Sequence, residues 1–335
     1  LGFLYVVLSE QALLLCLGVI PRHLHHKIEL WHHAVDGGPD TPLAFDWPCT
    51  EAYVRAVAAA LDLPIYFSWR EGGIYGEMMR DNVPTAAVTW ESPDPAGRGG
   101  VVRTTHGGDS DKLGTRHLFP QVSRDLSVRW CSAYAKIMVA GMMLSNDPRF
   151  LGKNVAHVSG ERREEGGNRR KYPACEVHKS NATVLKHRLV HHLRPVLDWE
   201  EAEVWSLIRR HGFVPHPCYW VGFGRCSCMN CIFSQAHEWA TIRRVAPARS
   251  AFLRALEAWT GQTISRAETL PDGSKIPGYS IPEWTDLGQP LVAALGGIDP
   301  VWARRAMARD WVGPIRVPVS EWELPPGAFR ETSRP

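Results

Sequence analysis

The sequence predicts an α/β protein, a doubly wound and mostly parallel sheet with a helical, cysteine-bearing C-terminal part. Short apolar runs at 4–8, 28–32, 65–69 and 155–159 alternate with stretches of helical periodicity. Strands that alternate with helices form parallel sheets covered on both faces. Half of the eight cysteines then fall between Cys218 and Cys231. The expected organisation is a sheet domain with a cysteine site at 1–240 and a helical, turn-rich extension at 241–335.

Composition narrows the function. With 335 residues, 44% hydrophobic and 22% charged, the chain can bury one large core or two smaller ones. Lys+Arg 38 against Asp+Glu 35 leaves a formal charge of +3, which makes no general case for a nucleic-acid binder, so any anion site must be local. Eight cysteines, half of them clustered, do not read as a secreted disulfide framework. A reducing, cytoplasmic compartment is expected. The apolar runs at 4–8 and 12–17 are separated by Ser9-Glu10-Gln11, with no basic residue ahead of them. They read as a buried strand and an apolar helix, not as a membrane span.

The next elements follow in order. The strand at 28–32 ends in the polar turn His33-Ala34-Val35-Asp36-Gly37-Gly38. Thr50 offers an N-cap to a helix with Val54, Val57, Ala58 and Leu61 at helical spacing, and Pro64 stops it. After the strand at 65–69, periodicity is poor from 72 to 128, so an irregular insertion is expected there. Residues 130–144 turn helical, and the strand at 155–159 delivers a charged loop at 160–171. A strand is expected within 191–197, then a capping box in Asp198-Trp199-Glu200-Glu201 for a helix at 200–210. The pairs His32-His33 and His191-His192 read as hydrogen-bonded structural residues. Residues 238–259 are largely helical, 271–290 are rich in turns, and a short helix is expected within 300–311.

Two stretches carry chemistry. Cys228 and Cys231 form a C-x2-C pair, a spacing that turns two thiolates toward one metal, and Cys218 and Cys226 are close enough in sequence to add a third. A fourth ligand must come from elsewhere, and Cys131 is the candidate. Thiolates select soft metals, so zinc and an iron–sulfur cluster are the choices. The loop at 160–171 holds five basic residues between flexible glycines. Its arginines either close on a phosphate or sulfate through bidentate contacts or pair with Glu161, Glu164 and Glu165 on a solvated surface.

These residues resemble the phosphoadenosine phosphosulfate (PAPS) reductase family, in the adenine nucleotide alpha-hydrolase-like fold. The resemblance rests on Ile28-Glu29-Leu30-Trp31-His32-His33 with Asp36-Gly37, on Arg129-Trp130-Cys131-Ser132 with Lys136, on Gly160-Glu161-Arg162-Arg163-Glu164-Glu165 with Arg169, on Arg194-Pro195 through Trp205, and on His216-Pro217 through Phe233. It implies an adenine nucleotide, as ATP or an adenylylated sulfur nucleotide, held by Ser9, Arg162, Arg163 and Arg169, with Lys136 and Asp36 as catalytic residues. The sequence is most similar to DNA phosphorothioation sulfur-transfer proteins and their phage-borne relatives, which carry a 4Fe-4S cluster on an early cysteine and a C-terminal C-x8/9-C-x2-C group. That implies Cys131, Cys218, Cys228 and Cys231 as ligands, with zinc as the alternative metal and Cys226 as an unassigned extra. The reading is therefore an adenylate-dependent sulfur-transfer or sulfonucleotide reductase-like enzyme. The family's phosphate loop, Ser-Gly-Gly-x-Asp-Ser, is reduced here to Ser9 followed by Glu10. The alternative is accordingly a degenerate, metal-stabilised module that serves partner proteins in a DNA-modification complex.

Overall fold

The computed structural model describes residues 3–7, 18–39, 41, 45–97, 100–123, 125–167, 169–269, 272–292 and 297–330. Its sheet contains β1 (Phe3–Val7), β2 (Ile28–Ala34), β3 (Ile65–Arg70), β4 (Val88–Pro93), β5 (Val101–His106), β6 (Asn154–Val158), β7 (Cys175–Val177) and β8 (Leu189–Leu193). The strand order is β5-β4-β3-β2-β1-β6-β8-β7. Pairings from β3 through β2, β1 and β6 to β8 are all parallel. Antiparallel strands extend both sides. The apolar run at the N-terminus thus lies at the centre, where Leu4 is in register with Ile28 on one side and Ala156 on the other.

Apolar residues on both faces of the central strands require two covering layers. On one face Trp31, Tyr66 and Val155 pack with Val139, Met143 and Leu144, three residues of the helix α3 (Met138–Asn146). On the other, Ile28, Leu30 and Val158 pack with Ala58, from the helix α1 (Thr50–Ala60). Each fully buried side chain of this size contributes about 1.5–3 kcal/mol. A further cluster joins Cys49, Cys218, Phe223 and Met229 to Trp239, Leu253, Ile281 and Ala306, so the cysteine stretch and residues on both sides of position 240 share one core.

Four expectations need correction. Residues 72–128 are not merely irregular, because they hold the helix α2 (Gly73–Met78) and the β4–β5 hairpin. The hairpin escapes a hydrophobic-pattern reading because β4 buries polar groups. Thr89 donates to Glu71 Oε1, and Glu91 Oε2 accepts from the backbone N–H of Phe67. The strand expected within 191–197 starts and ends earlier, and β7 was not foreseen, since all three of its residues are exposed. The capping box uses Glu200 and Glu203 at the start of α4 (Glu201–Arg210), leaving Asp198 to pair with Arg163. Thr50 is the first residue of α1 and not its cap; its hydroxyl donates to Asp46 Oδ1. Among the described residues no helix is long and apolar enough to cross a membrane.

Candidate functional site

A cleft of about 860 Å³ opens over the carboxyl ends of β2, β6 and β8, beside the point where the strand order reverses about β1. Open parallel sheets bind ligands in such a crevice. Residues 8–17 lie outside the described residues, and Ser9 with them.

The loop after β2 supplies one wall. Asp36 is buried, and its two carboxylate oxygens accept from the backbone N–H groups of Phe45 and Asp46 at 2.8 and 2.9 Å. It borders a neighbouring cavity of about 380 Å³, whereas Asp46 lines the main cleft. Asp36 therefore fixes the loop that carries Asp46. The fit is close, because Gly73 at φ 57° abuts this turn and a Cβ there would stand 2.2 Å from the carbonyl carbon of Asp36. Burial raises the Asp46 carboxyl above the usual carboxylate range, and Lys136 opposes that shift. Sequence reasoning missed Asp46, whose signal was its place ahead of the helix opened by Thr50.

Lys136 belongs to a π-helical turn (Ala133–Ile137) between the short helix Trp130–Ser132 and α3. Such widened turns recur at functional sites. The side chain opens into the cleft. Its ammonium is held charged, well above the usual lysine range, by the Cys228 sulfur, against burial, with Asp46, Cys231 and Cys131 adding to the effect. Burial pushes the Cys228 thiol up, and it pushes the Cys131 thiol up to about 11 with Cys231 adding. Arg225 Nη2 donates to Cys231 Sγ over 3.3 Å. Cys131, Cys228 and Cys231 thus share one electrostatic neighbourhood around Lys136, while Cys218, fully buried, stands beside Cys226.

The metal-ligating atoms of His216, Cys218 and Cys226 lie within 4.8 Å of one another, which makes them a candidate metal-binding group. Cys226 is exposed to the cleft. His216 caps the helix α5 (Pro217–Trp220), its Nδ1 accepting from the backbone N–H of Cys218 at 3.2 Å. A nitrogen that accepts carries no proton, so a neutral His216 is protonated on Nε2. That nitrogen lies 3.5 Å from Cys49 Sγ and 3.4 Å from Thr50 Oγ1. As a donor to sulfur it is spoken for, and ligation through Nε2 would require giving up the cap. Cys49 is the second residue that sequence reasoning missed, separated from His216 by 167 positions.

The charged loop forms another wall. Arg162 pairs with Glu164 and Glu165, and Arg169 with Glu165. Both arginines line the cleft. Arg163 is turned aside: it pairs with Asp198 and donates to the carbonyl oxygens of Arg170 and Tyr172 at 2.7 and 2.8 Å. Beyond them the rings of His157, His178 and His192 meet, with centroids 4.9 Å apart for His157 and His178 and 4.6 Å for His157 and His192. One histidine of each sequence pair is hydrogen-bonded, His33 to Ser68 Oγ and His192 to Ser159 Oγ.

Fold and site define a crevice at the carboxyl edge of a mostly parallel α/β sheet. Residues 115–234 match the phosphoadenosine phosphosulfate reductase domain. This span contains Cys131, Lys136, the arginine loop, Cys218, Cys228 and Cys231, and excludes Ser9 and Asp36. The chain is also 36% identical over 83 residues to an uncharacterized 37.8 kDa protein in the gpa 5′ region of Escherichia phage 186. That stretch is 25% of this chain and 23% of the phage protein.

Proposed function

We propose that the protein is an adenylate-dependent sulfur-transfer or sulfonucleotide reductase-like enzyme whose substrate occupies the cleft between β2 and β8. One observation carries the reading: the span that matches the reductase domain also builds the wall where Lys136 and the cysteines meet the cleft. Lys136 is the residue to hold an anionic group of the substrate, and Asp46 beside it is the residue to accept a proton. Asp36 positions that loop. The donor set suits a 4Fe-4S cluster on Cys131, Cys218, Cys228 and Cys231. A bound metal would deprotonate its thiol ligands against the burial that raises the Cys131 and Cys228 thiols, and Lys136 and Arg225 would offset the negative charge of the thiolates. When bound, such a cluster supplies electron relay or structural support. Anaerobic purification followed by iron, sulfide and zinc analysis tests this. About four irons per chain support it, and zinc alone overturns the iron assignment.

A second reading, a non-catalytic module serving DNA-modification partners, has its own support. The arginines of the 160–171 loop are already paired with carboxylates, and Glu10 stands where a phosphate loop is expected. Calorimetry with ATP separates the two. Micromolar binding favours the enzyme; no binding by this chain, with binding restored by Ser-Gly-Gly-Lys-Asp-Ser inserted after Leu8, favours the degenerate module.

A further inference from the structure

Residues 241–335 lie outside the span that matches the reductase domain, yet one of their side chains reaches the middle of the site. Arg249 stands in the first turn of the helix Pro247–Thr260. Its Nη1 donates to the backbone carbonyl oxygen of Asp46 and lies 3.5 Å from Met229 Sδ. Met229 falls between Cys228 and Cys231 and is fully buried. One guanidinium of the C-terminal extension therefore touches both the loop after β2 and the C-x2-C turn.

The loop is joined to that turn a second time. The backbone N–H of Asn230 donates to the carbonyl oxygen of Phe45 at 3.0 Å, and the N–H of the same peptide, on Asp46, donates to Asp36. The peptide ahead of Asp46 is thus held on both sides. The peptide after it turns its N–H, on Trp47, to the carboxylate of Asp46 itself at 2.8 Å. Among the described residues, its grip from outside the loop is Arg249 on its carbonyl. Planar peptides leave two soft torsions at each residue. With the first peptide held, rotation about the N–Cα bond of Asp46 swings its carboxylate and the second peptide together, and a donor fixed on the second carbonyl stops that rotation.

Both ends of this tie bear on the cleft, which Asp46, Lys136 and Cys228 line together. Burial pulls the Arg249 guanidinium down, and the Asp36 and Asp46 carboxylates oppose that shift, so the cation sits against the two acids of the loop. Ligation of Cys228 and Cys231 would fix the turn, and with it Met229 and Asn230. Coupling of this kind is reciprocal: whatever orders one segment lowers the cost of ordering the other.

We propose that Arg249 is a positioning residue that ties Asp46 to the C-x2-C turn, so that filling the cysteine site and fixing the Asp46 carboxylate over the cleft are one event. This deepens the reading above, on which it rests for the role of Asp46 as proton acceptor, and gives the C-terminal extension a part in the site. The test is amide hydrogen exchange by NMR on the full chain, empty and loaded with Cd²⁺, a soft diamagnetic ion that takes thiolate ligands. In the native chain Cd²⁺ slows exchange of the Phe45, Asp46 and Trp47 amides by about tenfold or more. Arg249→Met keeps the bound Cd²⁺ and the effect at Phe45 and Asp46 but loses it at Trp47, whereas Arg249→Lys, which retains a cationic donor, keeps most of it. Exchange at Trp47 that ignores Cd²⁺ in the native chain, or a Cd²⁺ effect there that survives Arg249→Met, overturns the tie. If Arg249→Met does not fold, the native comparison decides alone: protection of Trp47 by Cd²⁺ supports the tie and its absence overturns it. Cd²⁺ protection in a chain that holds no iron when prepared anaerobically leaves the tie standing and removes the iron assignment; about four irons per chain without a Cd²⁺ effect at Trp47 does the reverse. Binding of neither iron nor Cd²⁺ overturns both.

Discussion

The backbone N–H of Cys218 and the Nδ1 of His216 are joined by a 3.2 Å hydrogen bond, and this contact decides which way the histidine faces its sulfur neighbours. It turns Nε2–H toward Cys49, in the role of a donor. Replacing His216 by Asn, which also caps helices well, is expected to leave the metal content intact. Cys228→Ser and Cys231→Ser should each remove most of it. Metal analysis of the three variants checks this; loss of metal in His216→Asn with retention in Cys231→Ser would instead favour a mononuclear centre on His216, Cys218 and Cys226.

Asp36 offers a clean separation of support from chemistry. Its carboxylate accepts two backbone N–H bonds in a buried setting, and hydrogen bonds to charged groups are worth about 1.5–3 kcal/mol each. Asp36→Ala should destabilise the fold by about 3–6 kcal/mol in urea titration. Asp46→Asn, by comparison, should change stability little and activity strongly.

Glu77 anchors the segment that the sequence left undefined. Its side chain is fully buried, with Arg80 and Arg116 each 2.8 Å away. Removing one member of a buried pair leaves an uncompensated charge and costs ~3–5 kcal/mol. Glu77→Ala should lose that much stability. Because the Arg116 guanidinium lies 5.2 Å over the Trp130 ring, the loss should be accompanied by a change in tryptophan fluorescence.

Acid sensitivity follows from the histidines. Burial holds His33 down at about 3, with His32 and Lys136 adding, and holds His32 and His178 at about 4. Their ordinary value is 6.5. Between those limits the unfolded chain binds protons that these three groups refuse in the folded chain, so their contribution to stability is complete above about pH 6.5 and is lost as pH drops toward 4. Each such group contributes at most ~1.4 kcal/mol per pH unit. Denaturant midpoints at pH 7.5, 6 and 5 should decline in that order, and a flat profile would sink the assignment.

How much of this could be read from the residues varies by element. The central strands were legible because Ile28, Leu30, Trp31 and Val155 are apolar and buried. The β4–β5 hairpin was not, since Glu91 and Thr89 are buried in it through hydrogen bonds that no periodicity records. In the site, the dense cysteine stretch announced itself. Cys49 and Asp46 did not, because each acquires its role only when the loop after β2 folds against residues far along the chain.

The π-helical turn at Ala133–Ile137 has a geometric meaning of its own. An ordinary helix advances about 100° per residue, so one extra residue in a turn rotates everything before it by that angle relative to everything after. Trp130 and Cys131 lie before the turn, and Val139 and Met143, which are buried against the sheet, lie after it. Deleting a single residue from the turn would preserve every side chain of the site in composition and swing Cys131 by about a quarter circle away from Cys231. The alignment of cysteine and sheet is thus set by an angular offset in the backbone, as a vernier sets the phase between two scales.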